Sequence, residues 1–262
     1  MRISIVTISY NQAPYLRRAM NSVIGQSWPD VEYIVVDPGS QDGSREIIDS
    51  YGPRVTHRVF EHDRGAADGL NKGFARASGD IFCFLNSDDE FLPNALERMA
   101  YAFASRPEAD FISGCGYIID SQDKRVRRVI PTRLNVADYI YGASTVFQQG
   151  TFFRRKSFEL IGGFNVENRT CWDGELFLEF ARAGLRHELL YADIANFRIY
   201  GDSITGSGRL RDAYLKDSSR IFSRATGRTP NAADGLIAAF MRATKLMRNP
   251  RYAVERLRAV LP

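Results

Sequence analysis

The chain reads as an α/β protein built on a mostly parallel, doubly wound sheet. Three observations predict it. Strand-like runs and helical patterns alternate four times over about the first ninety residues, and such alternation produces parallel strands joined by right-handed crossovers. The strands are continuous apolar runs, as in Ile81-Phe82-Cys83-Phe84-Leu85, which suits strands buried on both faces. Polar residues fall at the C-terminal end of each strand: Thr7 to Asn11, Asp37 to Ser40, His62 to Gly65 and Asn86 to Asp89. All four ends belong on one edge of the sheet, where open α/β sheets bind ligands.

Ile3 to Ser9 forms the first predicted strand, and Tyr10-Asn11-Gln12 turns the chain. Pro14 opens an amphipathic helix with Leu16, Ala19, Met20, Val23 and Ile24 on one side, and Trp28-Pro29-Asp30 breaks it. Val31 to Val36 is the second strand. The polar turn Pro38 to Ser44 leads into a helix over Arg45 to Ser50. A third strand is expected over Arg54 to Glu61. Asp63-Arg64-Gly65 then turns into a helix carrying Leu70, Phe74 and Ala77, which Gly79 stops. The fourth strand, Ile81 to Leu85, ends abruptly in Asn86, Ser87, Asp88, Asp89 and Glu90. Pro93 sits in the first turn of the next helical pattern. Carboxylates held where a buried strand emerges suit Mg2+ or Mn2+. They also suit a helix cap, and the spacing alone leaves both open.

The second half is less regular. Ala109 to Tyr117 and Arg125 to Ile130 read as strands around a turn at Asp120 to Lys124, with a short helix over Asn135 to Tyr141. A strand near Thr151, the turn Ile161-Gly162-Gly163-Phe164, and Trp172-Asp173-Gly174-Glu175 before an amphipathic helix follow. His187 to Ala192 and Ile194 to Ile199 read as two strands. Helices are predicted over Ala213 to Thr226, Ala232 to Met247 and Tyr252 to Leu261.

Composition narrows the classes. Cys83, Cys115 and Cys171 are odd in number and form no CxxC pair, which argues against a disulfide framework or a cysteine zinc site and fits a reducing compartment. Met1 to Val6 is a strand pattern rather than a signal peptide, so a cytoplasmic location is expected, with the inner face of the membrane as a variant. From Arg209 onward twelve Lys and Arg face four acids, a charge of +8 that leaves the first 208 residues at −4. That basic, amphipathic end can lie on an anionic membrane, dock on the core or meet a second subunit. A nucleic-acid module is disfavoured, because the candidate site is acidic and the cations lie in the tail. No GxGxxG follows the first strand and no GxxxxGK[ST] occurs, so neither familiar phosphate cradle is present.

The Val6 to Asn11 opening, the Val35 to Ser44 turn, the Asp63 to Gly73 stretch and the Phe84 to Asp89 strand end resemble the family 2 glycosyltransferases of bacterial polysaccharide assembly. So does the later succession of Gln149-Gly150-Thr151, Gly162-Gly163-Phe164 and Trp172-Asp173-Gly174-Glu175. The resemblance implies a GT-A fold, a nucleoside-diphosphate sugar donor (UDP being the commonest nucleotide), a divalent metal and inversion at the anomeric carbon. It divides the chain into a GT-A domain over 1–208, with a nucleotide-sugar half (1–105) and an acceptor half (106–208), and a basic helical extension over 209–262. It puts Thr7, Ser9, Asn11, Asp37, Gly39 and Asp63 near base and ribose, and Asp68 and Lys72 on the helix beside them. Asn86 stands where the family usually has its first metal-motif carboxylate. Asn86 and Ser87 are then donor contacts, Asp88 is the main metal ligand, and Asp89 assists or caps. Arg198 would pair with phosphate beside a lid over 198–208, where Tyr200 replaces a usual histidine.

Inverting transfer is a direct displacement and needs one carboxylate to take the acceptor hydroxyl's proton. The resemblance assigns Asp173 to that task, with Glu175 as substitute and Gln149 and Trp172 near acceptor or sugar. The acceptor is expected to be a glycan or lipid-linked glycan. A non-catalytic nucleotide-sugar or carbohydrate-binding relative stays open through Asn86 and Tyr200. A sugar-phosphate nucleotidyltransferase ranks lower, since its Gly-rich N-terminal loop is missing.

Overall fold

Nine strands join in one mixed sheet among the described residues, 1–201 and 210–258 of the computed structural model. They are β1 (Ile3–Ile8), β2 (Val31–Val36), β3 (His57–Val59), β4 (Ile81–Asn86), β5 (Glu90–Phe91), β6 (Phe111–Ile119), β7 (Arg125–Val129), β8 (Thr151–Arg154) and β9 (His187–Arg198). The spatial order is β3-β2-β1-β4-β8-β6-β9-β5, with β7 beside β6. The first four strands are parallel. β8 then runs antiparallel to both β4 and β6, and β9 runs parallel to β6.

Register sets the site. Ile8 lies opposite Val36 on one side and Asn86 on the other, and Val36 lies opposite Val59. The four parallel strands therefore end level, and their polar continuations emerge side by side.

Helices cover both faces. α1 (Ala13–Ile24), α2 (Ser44–Ser50) and α4 (Ala95–Ser105) pack on one face. α3 (Ala66–Phe74), α6 (Arg155–Ile161) and α7 (Trp172–Arg182) pack on the other. β4 shows why its sequence lacks alternation. Ile81, Cys83 and Leu85 enter the first core, while Phe82 and Phe84 enter the second. The second core is aromatic, with Phe74 stacked on Phe82 at 4.8 Å between ring centres. α3 lies close on the sheet because Gly73 has no side chain; a Cβ there would meet Val6 at 2.5 Å and Val36 at 3.0 Å.

Three elements differ from the sequence expectation. β3 is shorter than Arg54 to Glu61, since Gly52–Arg54 forms a 3-10 turn around Pro53. The two strands expected after His187 are one, β9. Its register against β6 jumps from Leu190 opposite Gly114 to Asp193 opposite Cys115. This bulge is held by the Asp193 carboxylate, which accepts from Tyr117 Oη at 2.9 Å and Arg128 Nε at 2.8 Å. Asp88 and Asp89 do not cap α4, whose N-cap is Asn94.

α5 (Val136–Ile140) and the C-terminal helices α8 (Arg211–Thr226), α9 (Ala232–Arg248) and α10 (Pro250–Arg258) complete the structure. Arg220 of α8 pairs with Glu175, and Arg248 of α9 pairs with Asp138. α10 docks on the sheet, with Arg251 over the Tyr191 ring at 4.0 Å and Glu255 3.7 Å from Arg128. No helix among the described residues is long and apolar enough to cross a membrane.

Candidate active site

A cleft of about 710 Å³ opens along the level strand ends. It is lined from β1 onward by Ser9, Tyr10 and Gln12, from the β2 end by Pro38 and Gly39, and from the β3 end by His62, Asp63 and Gly65. Asn86, Ser87 and Asp88 line it from β4. Trp172, Phe197, Arg198 and Tyr200 close the far side. Of the residues predicted from sequence, the cleft thus brings together Ser9, Gly39, Asp63, Asn86, Ser87, Asp88 and Arg198.

The others hold its walls. Thr7 is fully buried and accepts from Tyr33 Oη at 3.1 Å. Asn11, at φ 51°, accepts from the Gln41 N–H at 3.0 Å, and its own N–H donates to Ser40 Oγ at 2.8 Å, tying the first two strand ends together. Asp37 accepts from the N–H groups of Gly39 and Ser40 at 3.0 and 2.8 Å, from Ser40 Oγ at 2.6 Å, and from Arg45 Nε at 3.2 Å. That carboxylate shapes its own turn. Asp68 accepts from the Arg64 N–H at 3.0 Å and lies 3.5 Å from Lys72 Nζ, which also donates to the His62 carbonyl.

The two acids at the β4 end part company. Asp88 faces the cleft. Burial raises its proton affinity, and the Tyr200 hydroxyl and Arg198 only partly offset this. Asp89 is fully buried and turned inward. One oxygen accepts from the Arg198 N–H at 2.9 Å, the other from Asn86 Nδ2 at 3.1 Å and Gln149 Nε2 at 3.0 Å. Burial, then the charge of Asp88, holds Asp89 well above the usual carboxylate range. Gln149, expected near acceptor or sugar, donates to this inward carboxylate.

Arg198 is where the geometry departs furthest from the sequence reading. Its side chain is fully buried. It donates to the carbonyls of Asp88 and Asp120, each at 3.0 Å, and to the carboxylates of Asp123 (2.6 Å) and Glu90. The guanidinium braces the β4–β5 corner through these four bonds, a structural task beside the phosphate pairing expected from sequence. Residues 202–208 of the expected lid lie outside the described residues.

α7 begins between two cavities. Trp172 lines the cleft and packs on Phe84 and Phe164 at 5.4 and 5.6 Å. Asp173 lines a second cavity of about 470 Å³, walled by Tyr139, Tyr141, Tyr214, Phe222 and Arg242. Burial raises the Asp173 carboxyl, and the only offsets are the N–H groups of its own helix start. Glu175, two residues on, takes two hydrogen bonds from Arg220 and others from Asn165 and Asn168. Burial alone would raise Glu175, but these partners outweigh it and hold it below the usual range. The two acids of this helix start therefore differ, Asp173 holding its proton more tightly than an ordinary carboxyl and Glu175 less tightly.

Sequence reasoning put Tyr10 and His62 on the ligand edge without giving them a task, read Gln12 as a turn residue, overlooked Phe197, and treated Tyr200 only as a substitution. Tyr200 Oη donates to Gln12 Oε1 at 3.2 Å, and burial with the charge of Asp88 pushes its hydroxyl up to about 12. Tyr10 and Gln12 sit in the turn that follows β1, whose end is at Ile8, so their place on the predicted ligand edge was the available signal. Phe197 had none, because β9 reaches the cleft through its long-range pairing with β6 and β5. Among the described residues no cluster of three or more His, Cys, Asp or Glu side chains is placed to hold a metal.

The strand order, the level parallel ends and the cleft above them define a GT-A glycosyltransferase fold. The chain belongs to glycosyl transferase family 2, which it matches over residues 4–189. Among solved structures it is similar to S. aureus TarS 1-349 in complex with UDP-GlcNAc, with a TM-score of 0.69 at 18% identity, over 96% of this chain and 73% of that one. It is also similar to the mannosyltransferase PcManGT from Pyrobaculum calidifontis in complex with GDP-Man and Mn2+, with a TM-score of 0.65 at 17% identity, over 98% and 73%. At these identities the likeness concerns the fold. An uncharacterized glycosyltransferase of Mycobacterium tuberculosis is 31% identical over 68% of each chain. The putative teichuronic acid biosynthesis glycosyltransferase TuaG of Bacillus subtilis is 36% identical over 46% of this chain and 48% of its own. The chain spans just under two thirds of the relatives it matches in Nostoc sp. and Rickettsia typhi, 66% and 62%.

Proposed function

We propose that this chain is an inverting hexosyltransferase. It moves a sugar from a nucleoside-diphosphate donor, with UDP the favoured nucleotide, to a hydroxyl of a glycan or lipid-linked glycan. The observation that carries this reading is the start of α7, where consecutive residues face two cavities. Trp172 lines the strand-end cleft and Asp173 lines the neighbouring cavity. We assign the cleft to the donor and the second cavity to the acceptor. Residues 1–208 then form the catalytic domain, and the helices of 209–262 complete the acceptor wall through Tyr214, Phe222 and Arg242.

The cleft suits a nucleotide. Ser9 lines the cleft, and its buried Oγ has no hydrogen-bond partner among the described residues, a polar atom left to be satisfied at this wall. Gly39, at φ 143°, leaves open space where a side chain would project. Asp88 fits a hard divalent cation. Mg2+ and Mn2+ sites of this kind use one or two carboxylates and fill the rest with water and substrate phosphate. The bound cation would neutralise charge on the departing diphosphate. Asp89, held inward by three donors, supports Asp88 from behind.

In the transfer, the acceptor oxygen bonds to the anomeric carbon as the bond to the diphosphate oxygen breaks. The diphosphate leaves with that electron pair, and Asp173 takes the hydroxyl proton. Raised by burial, Asp173 is a stronger base than a solvated carboxylate. Trp172, in the cleft lining, offers aromatic surface to the sugar.

Calorimetric titration with UDP, GDP and dTDP, each with and without Mn2+, tests the donor assignment. Binding of one nucleotide only with metal is expected. Absence of binding to all three would sink the donor assignment and favour the non-catalytic carbohydrate-binding alternative.

A further inference from the structure

The C-terminal helices carry a feature that sugar transfer does not use. α9 is turned inside out. Its inner side carries charge: Asp234 and Lys245 are buried, Arg242 lines the Asp173 cavity from a partly solvent-facing position, and Arg248 pairs with Asp138 at 2.8 Å. Its outward face is apolar. Leu236, Phe240 and Met247 are 76%, 69% and 77% exposed, with Ala232, Ala239 and Ala243 between them and Leu246 at the margin. Helical spacing of four, then seven, puts the three large side chains on one ridge. Three bulky apolar groups in water on a single ridge mark an interaction surface rather than scattered exposure. Leu257 and Val254 of α10 add two more exposed apolar residues nearby in the chain.

Charge identifies the partner. On the described part of these helices and their connections, Arg211, Lys216, Arg224, Arg228, Arg242, Arg248, Arg251 and Arg256 are exposed. Of the four acids there, Asp217 and Asp234 are buried, Glu255 is half-buried, and Asp212 alone is exposed. Asp217 is drawn inward by the Arg169 N–H at 3.0 Å and Thr170 Oγ1 at 2.8 Å, and Asp234 by Tyr141 Oη at 3.0 Å. Arg224, Arg228 and Arg248 pair with Glu179, Asp234 and Asp138, so the outward cationic charge rests on Arg211, Lys216, Arg242, Arg251 and Arg256.

We propose that the α9 ridge docks this protein on an anionic lipid surface, the ridge entering the headgroup–acyl boundary and the surrounding arginines meeting lipid phosphates. A second copy would bring the same cationic surface face to face, and like charges oppose that pairing. A protein partner would need a groove shaped to three protruding side chains. A bilayer interface deforms to receive a ridge. The inner side of α9 contributes Ala238 and Arg242 to the cavity that holds Asp173, so docking would hold that cavity near the bilayer. The docking itself does not depend on the catalytic reading.

Flotation of the whole chain with vesicles tests this. Equimolar phosphatidylcholine and phosphatidylglycerol vesicles should bind at least about tenfold more protein than phosphatidylcholine alone, with the excess lost at high salt. The triple variant Leu236→Glu, Phe240→Glu, Met247→Glu, folded by circular dichroism because these side chains already face water, should lose at least about tenfold in binding to the anionic vesicles. Its nucleotide binding should match the parent, which separates this test from that of the donor cleft. Equal flotation of variant and parent, or no flotation of the parent, would overturn the proposal. So would a concentration-dependent dimer in light scattering that the triple variant abolishes, since a second copy would then cover the ridge. Should the triple variant misfold, Phe240→Ser alone gives the same reading: reduced flotation supports docking, and unchanged flotation rejects it.

Discussion

Arg220 donates to both oxygens of Glu175, at 2.7 and 2.8 Å, and this clamp joins α7 to α8. Asp173, two residues earlier, has no such clamp. One turn of helix therefore holds two acids of opposite proton affinity, Glu175 below the usual range and Asp173 above it.

The clamp should be visible in stability. Glu175→Gln is expected to cost about 2 kcal/mol in urea unfolding, less than a fully buried pair because Arg220 is a third exposed. A depressed folded-state value means Glu175 stabilises the fold above its ordinary value near 4.5, and that contribution fades as pH falls through the lower folded value. The parent should therefore lose stability faster than Glu175→Gln below about pH 4.5.

Asp173→Asn removes the proton acceptor and keeps the shape. Turnover is expected to fall about 10²–10⁴-fold, with nucleotide affinity unchanged by calorimetry. A comparable loss in Glu175→Gln without loss of stability would reverse the assignment of the two acids.

At the β4 end the neighbours should behave differently. Asp88→Asn should abolish the Mn2+ dependence of nucleotide binding and leave the unfolding midpoint near the parent's. Asp89→Asn should cost about 1–3 kcal/mol of stability, because it disturbs the inward carboxylate that Arg198, Asn86 and Gln149 share.

His187 offers a pH prediction away from the site. Its Nδ1 accepts from the Leu134 N–H at 3.0 Å, so Nε2 carries the proton and donates to Ser113 Oγ at 2.9 Å. The chain continues through Thr151 to the Phe147 carbonyl. Burial, then Arg133, lowers His187 to about 3. The unfolded chain binds this proton near its ordinary value of 6.5 and the folded one does not, so stability falls as pH drops below 6.5. Between pH 6.5 and 5 the loss should be about 2 kcal/mol, and His187→Gln should flatten that slope in urea titrations.

Much of the nucleotide half was legible in order. Continuous apolar runs, helix stops and polar strand ends are local signals, and the parallel register then brings the strand ends level. What local signals do not carry is the direction in which each side chain at the site faces. Asp88 and Asp89 are adjacent in sequence and alike in chemistry, yet one faces the cleft and the other the core. Arg198 looked available for phosphate because the carboxylates that surround it, Glu90 and Asp123, come from 108 and 75 residues away.

The amino-acid sequence by itself determined the parallel α/β half, the edge on which a site forms and the acid at the start of α7, because apolar periodicity, turn residues and helix starts act over a few residues. The tertiary structure alone decided which acids remain available. It also placed β9 so that Tyr200 reaches the cleft, and turned the apolar side of α9 outward. Those outcomes depend on long-range pairing and on which charge is buried beside which partner, and neither is encoded in local spacing.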